Sequence, residues 1–320
     1  MNPLATIYGG VVGARNSLYD RGLLRATRLA GAVVSVGNLS TGGSGKTPFV
    51  LLLGELLKAR GIKFDVLSRG YGRATRGAMA VDPAGSPRDF GDEPLLIAQR
   101  LQVPVFVGES RFEAGRLAEA KFGPQLHLLD DGFQHRALAR DFDIVLLTPQ
   151  DAEDRLLPAG RLREPLLNLR RADVVVLPSD AAREKFPLEG KLVWRVRRGI
   201  LPQHVPPRPV VFCGIARPQI FVQQLRAANI EPAAEAFYRD HHPYSEKDIR
   251  ELLQLKQQSE AGGFLTTEKD AINLGNHLYA LHPLSVVPVK MELQDAANAV
   301  DTMLRVLAER KRPACENLSS

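Results

Sequence analysis

Lys46 and Thr47 stand behind a glycine run, Gly42-Gly43-Ser44-Gly45, and in front of an apolar periodic segment, Phe49 to Leu57. A flexible cation and a hydroxyl at that point can hold the terminal phosphates of a nucleotide and a Mg²⁺ ion. The glycines let successive backbone N–H groups converge on an anion. A helix N-terminus behind such a loop adds unpaired donors and about half a positive charge. The full loop is Ser40, Thr41, Gly42, Gly43, Ser44, Gly45, Lys46, Thr47, with Ser40 where G-x-x-x-x-G-K-[ST] ordinarily has glycine. The alternative is a glycine-rich turn that binds nothing, and Gly-Lys-Thr in this context argues for the nucleotide triphosphate site.

A second set of candidates is acidic. Asp92 and Glu93 follow a Pro/Gly-rich loop and open a helical pattern, Leu95 to Leu101. They are either caps that complement the helix dipole or, beside a nucleotide, a pair that divides Mg²⁺ binding from proton acceptance. Asp130 and Asp131 end the apolar run Leu126-His127-Leu128-Leu129. A strand-terminal acid is the usual companion of a phosphate loop, where it holds the metal shell, and this reading outweighs a turn-forming role. Gln134 and His135 lie just beyond, placed to orient a nucleophile or a phosphate. His241 and His242 are adjacent, so they point different ways, and no metal-ligand spacing completes them; a structural or acid–base role fits better.

Basic loops form the third set. Arg69 and Arg73 flank Gly70-Tyr71-Gly72 after the strand Phe64–Ser68, either facing phosphates or lying in a solvated turn. Arg161 and Arg163 sit in the proline-bounded loop Leu157–Pro165, a candidate substrate contact.

The elements that must carry these residues read as strands alternating with helices. Val33–Val36, Phe64–Ser68, Val103–Val107, Leu126–Asp130, Asp143–Leu147 and Asp173–Leu177 are apolar with little polar alternation. Such runs predict a mostly parallel sheet covered on both faces, hence a doubly wound α/β phosphate-loop domain. Proline clusters at 202, 206, 207 and 209 predict a linker, and a smaller α/β domain follows it. The expected division is an amphipathic segment at 1–30, the phosphate-loop domain at 31–190, a linker at 191–209 and the smaller α/β unit at 210–320. Within the last, one strand is expected over 284–289 and a final helix over 293–310; residues 315–320 read as a frayed tail.

Residues 1–30 place Leu4, Ile7, Tyr8, Val11, Val12, Leu18 and Tyr19 near helical spacing, interleaved with Arg15, Arg21, Arg25 and Arg28. The segment is either an interfacial membrane helix or an ordinary helix packed on the domain. The 320-residue chain carries a formal charge of +6, and its pI of about 9.4 favours anionic partners. Its two cysteines, Cys213 and Cys315, suit a reducing compartment rather than a disulfide framework. No run approaches the ~18 apolar residues of a membrane span, and the first basic residue follows the first apolar stretch, which argues against a cleavable signal. No aromatic–basic interleaving or known module supports nucleic-acid binding. The sequence Lys269-Asp270 is not the N-K-x-D that reads guanine, which counts against GTP.

In order along the chain, V-G-N-L-S-T-G-G-S-G-K-T-P (36–48), S-R-G-Y-G-R (68–73), G-D-E-P (91–94) and D-D-G-F-Q-H (130–135) resemble the tetraacyldisaccharide 4′-kinase family. L-P-A-G-R-L-R-E-P (157–165), D-H (240–241) and T-E-K-D-A (267–271) extend the resemblance over nearly the whole chain. It implies ATP and Mg²⁺ as cofactors and transfer of the γ-phosphoryl group to the 4′-hydroxyl of an acylated glucosamine disaccharide 1-phosphate, in lipid A biosynthesis. It also implies a monomeric peripheral enzyme on the cytoplasmic face of the Gram-negative inner membrane, docked by its N-terminal helix on an anionic surface. Carried onto this chain, Lys46 and Thr47 take phosphate and Mg²⁺, and Glu93 joins Asp130 or Asp131 at the metal. Asp92 becomes the general base, supported by His241, while Arg69, Arg111, Arg161 and Arg163 become candidate lipid contacts. The rival is a switch-type phosphate-loop NTPase acting on a protein partner, with hydrolysis indifferent to lipid.

Overall fold

A computed structural model describes residues 2–311 of the chain, so Cys315 and the expected tail lie outside the described residues. Helix α1 (Pro3–Asp20) comes first, its opening turn capped by Asn2, whose Oδ1 accepts from the Leu4 amide. Then come β1 (Val33–Asn38), α2 (Lys46–Ala59), β2 (Phe64–Ser68), β3 (Met79–Ala80), α3 (Pro87–Phe90), α4 (Asp92–Leu101) and β4 (Val105–Val107). Helix α5 (Arg111–Phe122), β5 (Leu126–Asp130), β6 (Phe142–Leu146), β7 (Val174–Pro178) and β8 (Leu192–Ile200) follow. The chain continues with β9 (Val210–Cys213), α6 (Pro218–Ala227), β10 (Ala234–Phe237), α7 (Glu246–Gln258), β11 (Phe264–Thr267) and α8 (Glu268–Leu274). Strands β12 (Leu284–Val287) and β13 (Val289–Leu293) and helix α9 (Ala296–Lys311) complete it.

Two sheets result. The larger has nine strands in the order β13-β8-β7-β6-β1-β5-β2-β4-β3. It is parallel except where β3 pairs with β4 and β13 with β8, at its two edges. The smaller, β10-β9-β11-β12, is parallel throughout. The unbroken apolar strands of the larger sheet have a direct cause: both faces are covered. In β1, Val34 and Val36 point into the core shared with Phe49, Val50 and Leu53 of α2, while Val33 points into the core that holds Ala114 and Ala118 of α5. Strand β1 lies between β5 and β6; the connection after β1 runs to β2 on one side, whereas that after β5 runs back to β6 on the other, which opens a crevice at the C-terminal ends of β1 and β5.

The boundaries expected from sequence differ from the strand pairing in two places. Residues 192–200 are not a linker but strand β8, parallel to β7 from Val174↔Leu192 to Pro178↔Val196. Their alternation is that of a sheet edge zone, with Trp194 and Val196 buried in the larger core. The expected strand over 284–289 is two strands in two sheets. Pro288 has no N–H to give a ladder; Val287 ends the smaller sheet, and Val289 pairs with Ile200 in the larger. Residues 289–311 thus return to the first unit, where Val300 and Met303 of α9 join its core. The chain crosses between sheets at 201–209 and again at 288, and the two crossings are tied by Leu201 N–H donating to Pro288 O at 3.1 Å. No described helix is long and apolar enough to cross a membrane.

Candidate active site

The loop between β1 and α2 is shaped by its glycines. Gly42, Gly43 and Gly45 have φ of +70°, +69° and +83°, a region open to glycine at little steric cost. Gly45 precedes α2 without a side-chain cap, and no acid occupies the first turn, so the helix N-terminus keeps its unpaired donors and its positive end. Buried Asn38, the last residue of β1, organises the loop. Its Nδ2 donates to Ser40 O and Ser44 Oγ, both at 2.7 Å. Its Oδ1 accepts from Lys46 Nζ at 3.2 Å and from the Arg163 guanidinium. Gln134 Nε2 donates to the Asn38 carbonyl at 2.9 Å. Thr47, one residue into α2, is buried beneath the loop.

The paired acids at the end of β5 are split by their surroundings. Register sets Asp130 beside Val36, so both strands deliver their ends to the same crevice. Asp130 accepts from Ser68 Oγ at 3.2 Å through Oδ2, while its buried Oδ1 has no partner. Burial, reinforced by Glu93 and Asp131, pushes its pKa up to about 7. Asp131, in the left-handed region at φ +51°, takes both Arg163 donors at 3.0 and 2.8 Å and lies 3.6 Å from Lys46 Nζ. Burial opposes its ionisation, but Lys46 and Arg163 together hold its carboxyl far below the usual range.

Asp92 and Glu93 begin α4. Only 4% of Asp92 is exposed, and its carboxylate is ringed by donors from the smaller unit. His241 Nδ1 lies 2.8 Å from Oδ2 and 2.9 Å from Oδ1, Asn273 Nδ2 donates to Oδ2 at 3.0 Å, and Lys269 Nζ is 3.9 Å away. Burial raises the Asp92 pKa, yet His241 and Lys269 outweigh it and the net direction is downward. Lys269 also reaches Asp240 at 2.8 Å, His241 Nε2 at 3.2 Å and Glu93 at 3.6 Å. A neutral imidazole that donates from Nδ1 and accepts at Nε2 satisfies both neighbours. Burial lowers the proton affinity of His241, but Asp92 more than compensates, so its pKa is raised. His241 itself sits at φ +60°, on the turn that carries Asp240 and His242.

The remaining candidates divide. Arg69 and Arg163 line the same cleft as Lys46, Asp92, Asp130 and His241, a cavity of about 590 Å³ between the two sheets. Arg161 lies outside it, paired with Asp154 at 2.7 Å and Asp151 at 3.7 Å. Arg111 is buried behind the cleft and donates to Glu109 O at 3.0 Å; burial and Arg69 bring its pKa down to about 10. His135 is half-buried, and burial plus the guanidinium of Arg111 lowers its pKa to about 4, so it is uncharged at neutral pH. His242 turns away from the cleft, stacked on Tyr238 and 3.2 Å from Asp248. Among the residues that shape the cleft and were absent from the sequence-based set are Asn38, Lys269 and Asn273. The first two sit inside the strings that carry the resemblance, whereas nothing local marks Asn273.

Helix α1 packs beside this site. Asn16 donates to Glu164 at 2.9 Å, Tyr8 donates to Arg163 O at 3.0 Å, and Arg136 reaches Asp20 at 2.7 Å. Its other face leaves Leu4, Ile7 and Val11 about two-thirds exposed.

Comparison with known proteins agrees with the arrangement. The model of the tetraacyldisaccharide-1-P 4′-kinase family matches residues 1–308. The tetraacyldisaccharide 4′-kinase of Koribacter versatilis (strain Ellin345) is 51% identical, over 97% of this chain and 100% of that protein. The corresponding protein of Aquifex aeolicus (strain VF5) is 37% identical, over 92% of this chain and 94% of its own length. A crystal structure of Aquifex aeolicus LpxK, an "apo" form in complex with ATP, superimposes with a TM-score of 0.78 at 36% identity, covering 95% of this chain and 98% of that one. With its phosphate loop, split acid pair and cross-sheet Asp–His contact in one cleft, the chain belongs to the tetraacyldisaccharide-1-P 4′-kinase family.

Proposed function

We propose that this chain transfers the γ-phosphoryl group of ATP to the 4′-hydroxyl of an acylated glucosamine disaccharide 1-phosphate, a step of lipid A biosynthesis. The observation that carries the reading is the Asp92–His241 contact, which shares one cleft with the Lys46 loop. Ser40 to Gly45 cradle the β- and γ-phosphates with backbone N–H groups, and Lys46 neutralises their charge. Asp92 accepts the proton of the sugar hydroxyl as its oxygen bonds to the γ-phosphorus. The bond from the γ-phosphorus to the β–γ bridging oxygen breaks, and ADP keeps that electron pair. His241 holds the carboxylate in line and ionised. A positioned base contributes typically ~10²–10⁴-fold, and alignment supplies much of the rest.

The site suits Mg²⁺. Among the described residues no three His, Cys, Asp or Glu side chains converge into a closed cage, but Mg²⁺ keeps waters and phosphate oxygens and takes only one or two carboxylates. The partnerless buried Oδ1 of Asp130 would be such a ligand, with Glu93 and Thr47 lining the same cleft as further candidates; Asp131 is occupied by Arg163. When bound, the ion screens the charge on the β- and γ-oxygens.

The exposed apolar side of α1 fits the headgroup region of a bilayer, with Arg15, Arg21 and Arg25 meeting anionic lipid. The reading is of a peripheral, monomeric enzyme on the cytoplasmic face of the inner membrane, where an acylated substrate resides, and the exposed apolar side of α1 supports its peripheral part. Arg69 and Arg163 are the cleft cations for the anionic acceptor. The test is label transfer from γ-labelled ATP to the acylated disaccharide 1-phosphate. Transfer that vanishes in Lys46→Ala and falls steeply in Asp92→Asn supports the reading. Lipid-indifferent hydrolysis stimulated by a protein would instead favour a switch NTPase.

A further inference from the structure

The loop that leaves β9 lies over the phosphate loop. A Cβ placed on Gly42 would be 3.3 Å from the Ala216 methyl, and one on Gly43 would be 3.0 to 3.1 Å from Nε, Cδ and Cγ of Arg217. Arg217 is the last residue before α6, and its side chain caps nothing there. Its Nη1 makes one long contact, 3.4 Å to Gln150 Oε1, and its Nη2 is buried without a partner. The nearby carboxylates Asp151 and Asp154 are instead paired with Arg161. A buried guanidinium donor left unpaired is unfavourable, and a planar fork of N–H groups matches a phosphate better than any other side chain. Lys46 and the loop amides approach the phosphates from the larger sheet; Arg217 comes from the smaller one, on the opposite wall.

We propose that Arg217 is an arginine finger supplied in cis, donating to the β–γ phosphate region of ATP across the cleft. The assignment rests on ATP lying in the Lys46 loop. As the acceptor oxygen bonds to the γ-phosphorus and the bond to the β–γ bridging oxygen breaks, negative charge moves onto the departing ADP, and the proton goes to Asp92. Arg217 neutralises that developing charge. It therefore acts more strongly in the transition state than in the ground state, as expected of a group that raises kcat rather than affinity. The smaller sheet thereby contributes to both ends of the transfer: His241 at the acceptor and Arg217 at the leaving group.

The experiment compares Arg217→Ala, Arg217→Gln and Arg217→Lys with the unmodified full chain. Turnover is measured at saturating ATP and acylated acceptor, and nucleotide affinity by titration with a fluorescent ATP analogue. The expected result is a kcat loss on the order of 10³-fold in Ala and Gln, little change in nucleotide Kd, and only partial recovery with Lys. A kcat within about threefold of the unmodified chain, or a loss wholly accounted for by Kd, would overturn the proposal. Thermal unfolding of Arg217→Gln, which keeps the length and polarity of the side chain, separates a folding defect from the loss of charge; lost turnover accompanied by unfolding counts against the finger. Lys46→Ala is read separately: nucleotide binding that survives it removes ATP from the loop, whatever Arg217 does.

Discussion

His241 Nδ1 stands 2.8 Å from Asp92 Oδ2, joining a turn of the smaller sheet to the first residue of α4 in the larger one. The two residues are 149 positions apart in the chain, so the contact exists only when both units are folded and together. It fixes the charge of Asp92: burial alone would favour the neutral acid, and the histidine and Lys269 reverse that preference.

The first prediction follows from that sign. A carboxylate with a depressed pKa stays ionised as pH falls, until the pH passes its folded value. His241→Ala removes one of the groups holding it down, so the Asp92 pKa rises and the acidic limb of kcat/KM moves to higher pH. Asp92→Asn abolishes that limb and lowers kcat by about 10²–10⁴-fold, with ATP affinity little changed. A pH–rate profile of both variants checks this; an unmoved limb in His241→Ala would detach the histidine from the base. Equal losses in kcat and nucleotide binding in Asp92→Asn would make Asp92 a metal ligand.

Much of this was legible in the chain itself. The phosphate loop was readable because strand, glycines, Lys46 and Thr47 are contiguous, and Asp130 because a strand-terminal acid is local too. The doubly wound sheet was visible in apolar runs such as Val33–Val36. What the sequence concealed depends on distant partners. Trp194 and Val196 alternate with Arg195 and Arg197 at the period of a half-buried strand, a signal overridden by the proline cluster that follows, and β7 and β13 lie on either side. Pro288 divides one apolar run between two sheets, a decision made by pairing rather than composition. Asn273 and Arg217 belong to the cleft only because α8 and the β9–α6 loop fold over it.

The unpaired Oδ1 of Asp130 yields a second prediction. Asp130→Asn keeps the shape and the Ser68 contact but removes the charge that a divalent cation requires. Binding of Mn²⁺ as a spectroscopic substitute for Mg²⁺, in the presence of ATP, should weaken by at least about tenfold. Asp131→Asn should act differently. It releases Arg163 and Lys46, and its effect should fall on turnover and acceptor KM more than on the metal. Electron paramagnetic resonance titration separates the two variants, and identical losses would mean that both acids ligate.

Third, the outer face of α1 can be altered without touching its inner face. Ile7 and Val11 are each 64% exposed, whereas Asn16 and Tyr8 tie the helix to the Arg163–Glu164 loop. Ile7→Glu with Val11→Glu should change stability by no more than about 0.5 kcal/mol at each site. It should release the protein from vesicles of anionic phospholipid and raise the KM for acylated acceptor, with kcat on a detergent-dispersed acceptor retained. Vesicle sedimentation reads the outcome; unchanged partitioning would place the membrane contact elsewhere. Deleting the whole helix is the poorer test, because it also removes Asn16 from Glu164.

The last prediction concerns stability rather than turnover. At the end of the larger sheet away from the cleft, fully buried His127 lies between Asp65, 2.8 Å from Nδ1, and Glu119, 3.3 Å from Nε2. Burial disfavours the imidazolium, yet the two carboxylates prevail and the His127 pKa is raised. Glu119 is shifted the opposite way: burial raises its pKa, but the Gly31 amide and His127 bring it down overall. A histidine with a raised folded pKa contributes its full stabilisation below its unfolded value, near ~6.5, and loses it as pH climbs through the folded value. Glu119 contributes above its unfolded value, near ~4.3, and loses that as pH falls through its lower folded value. The contribution of this cluster should therefore peak between those two unfolded values and decline toward alkaline pH. His127→Gln cannot carry the charge and leaves Asp65 buried against a neutral partner. It should cost about 3 kcal/mol at pH 5.5 and remove the alkaline part of the slope, with kcat at the distant cleft preserved. Urea unfolding at pH 5.5 and 8.5 measures both, and a variant whose slope matches the parent would show that His127 stays neutral in the folded protein.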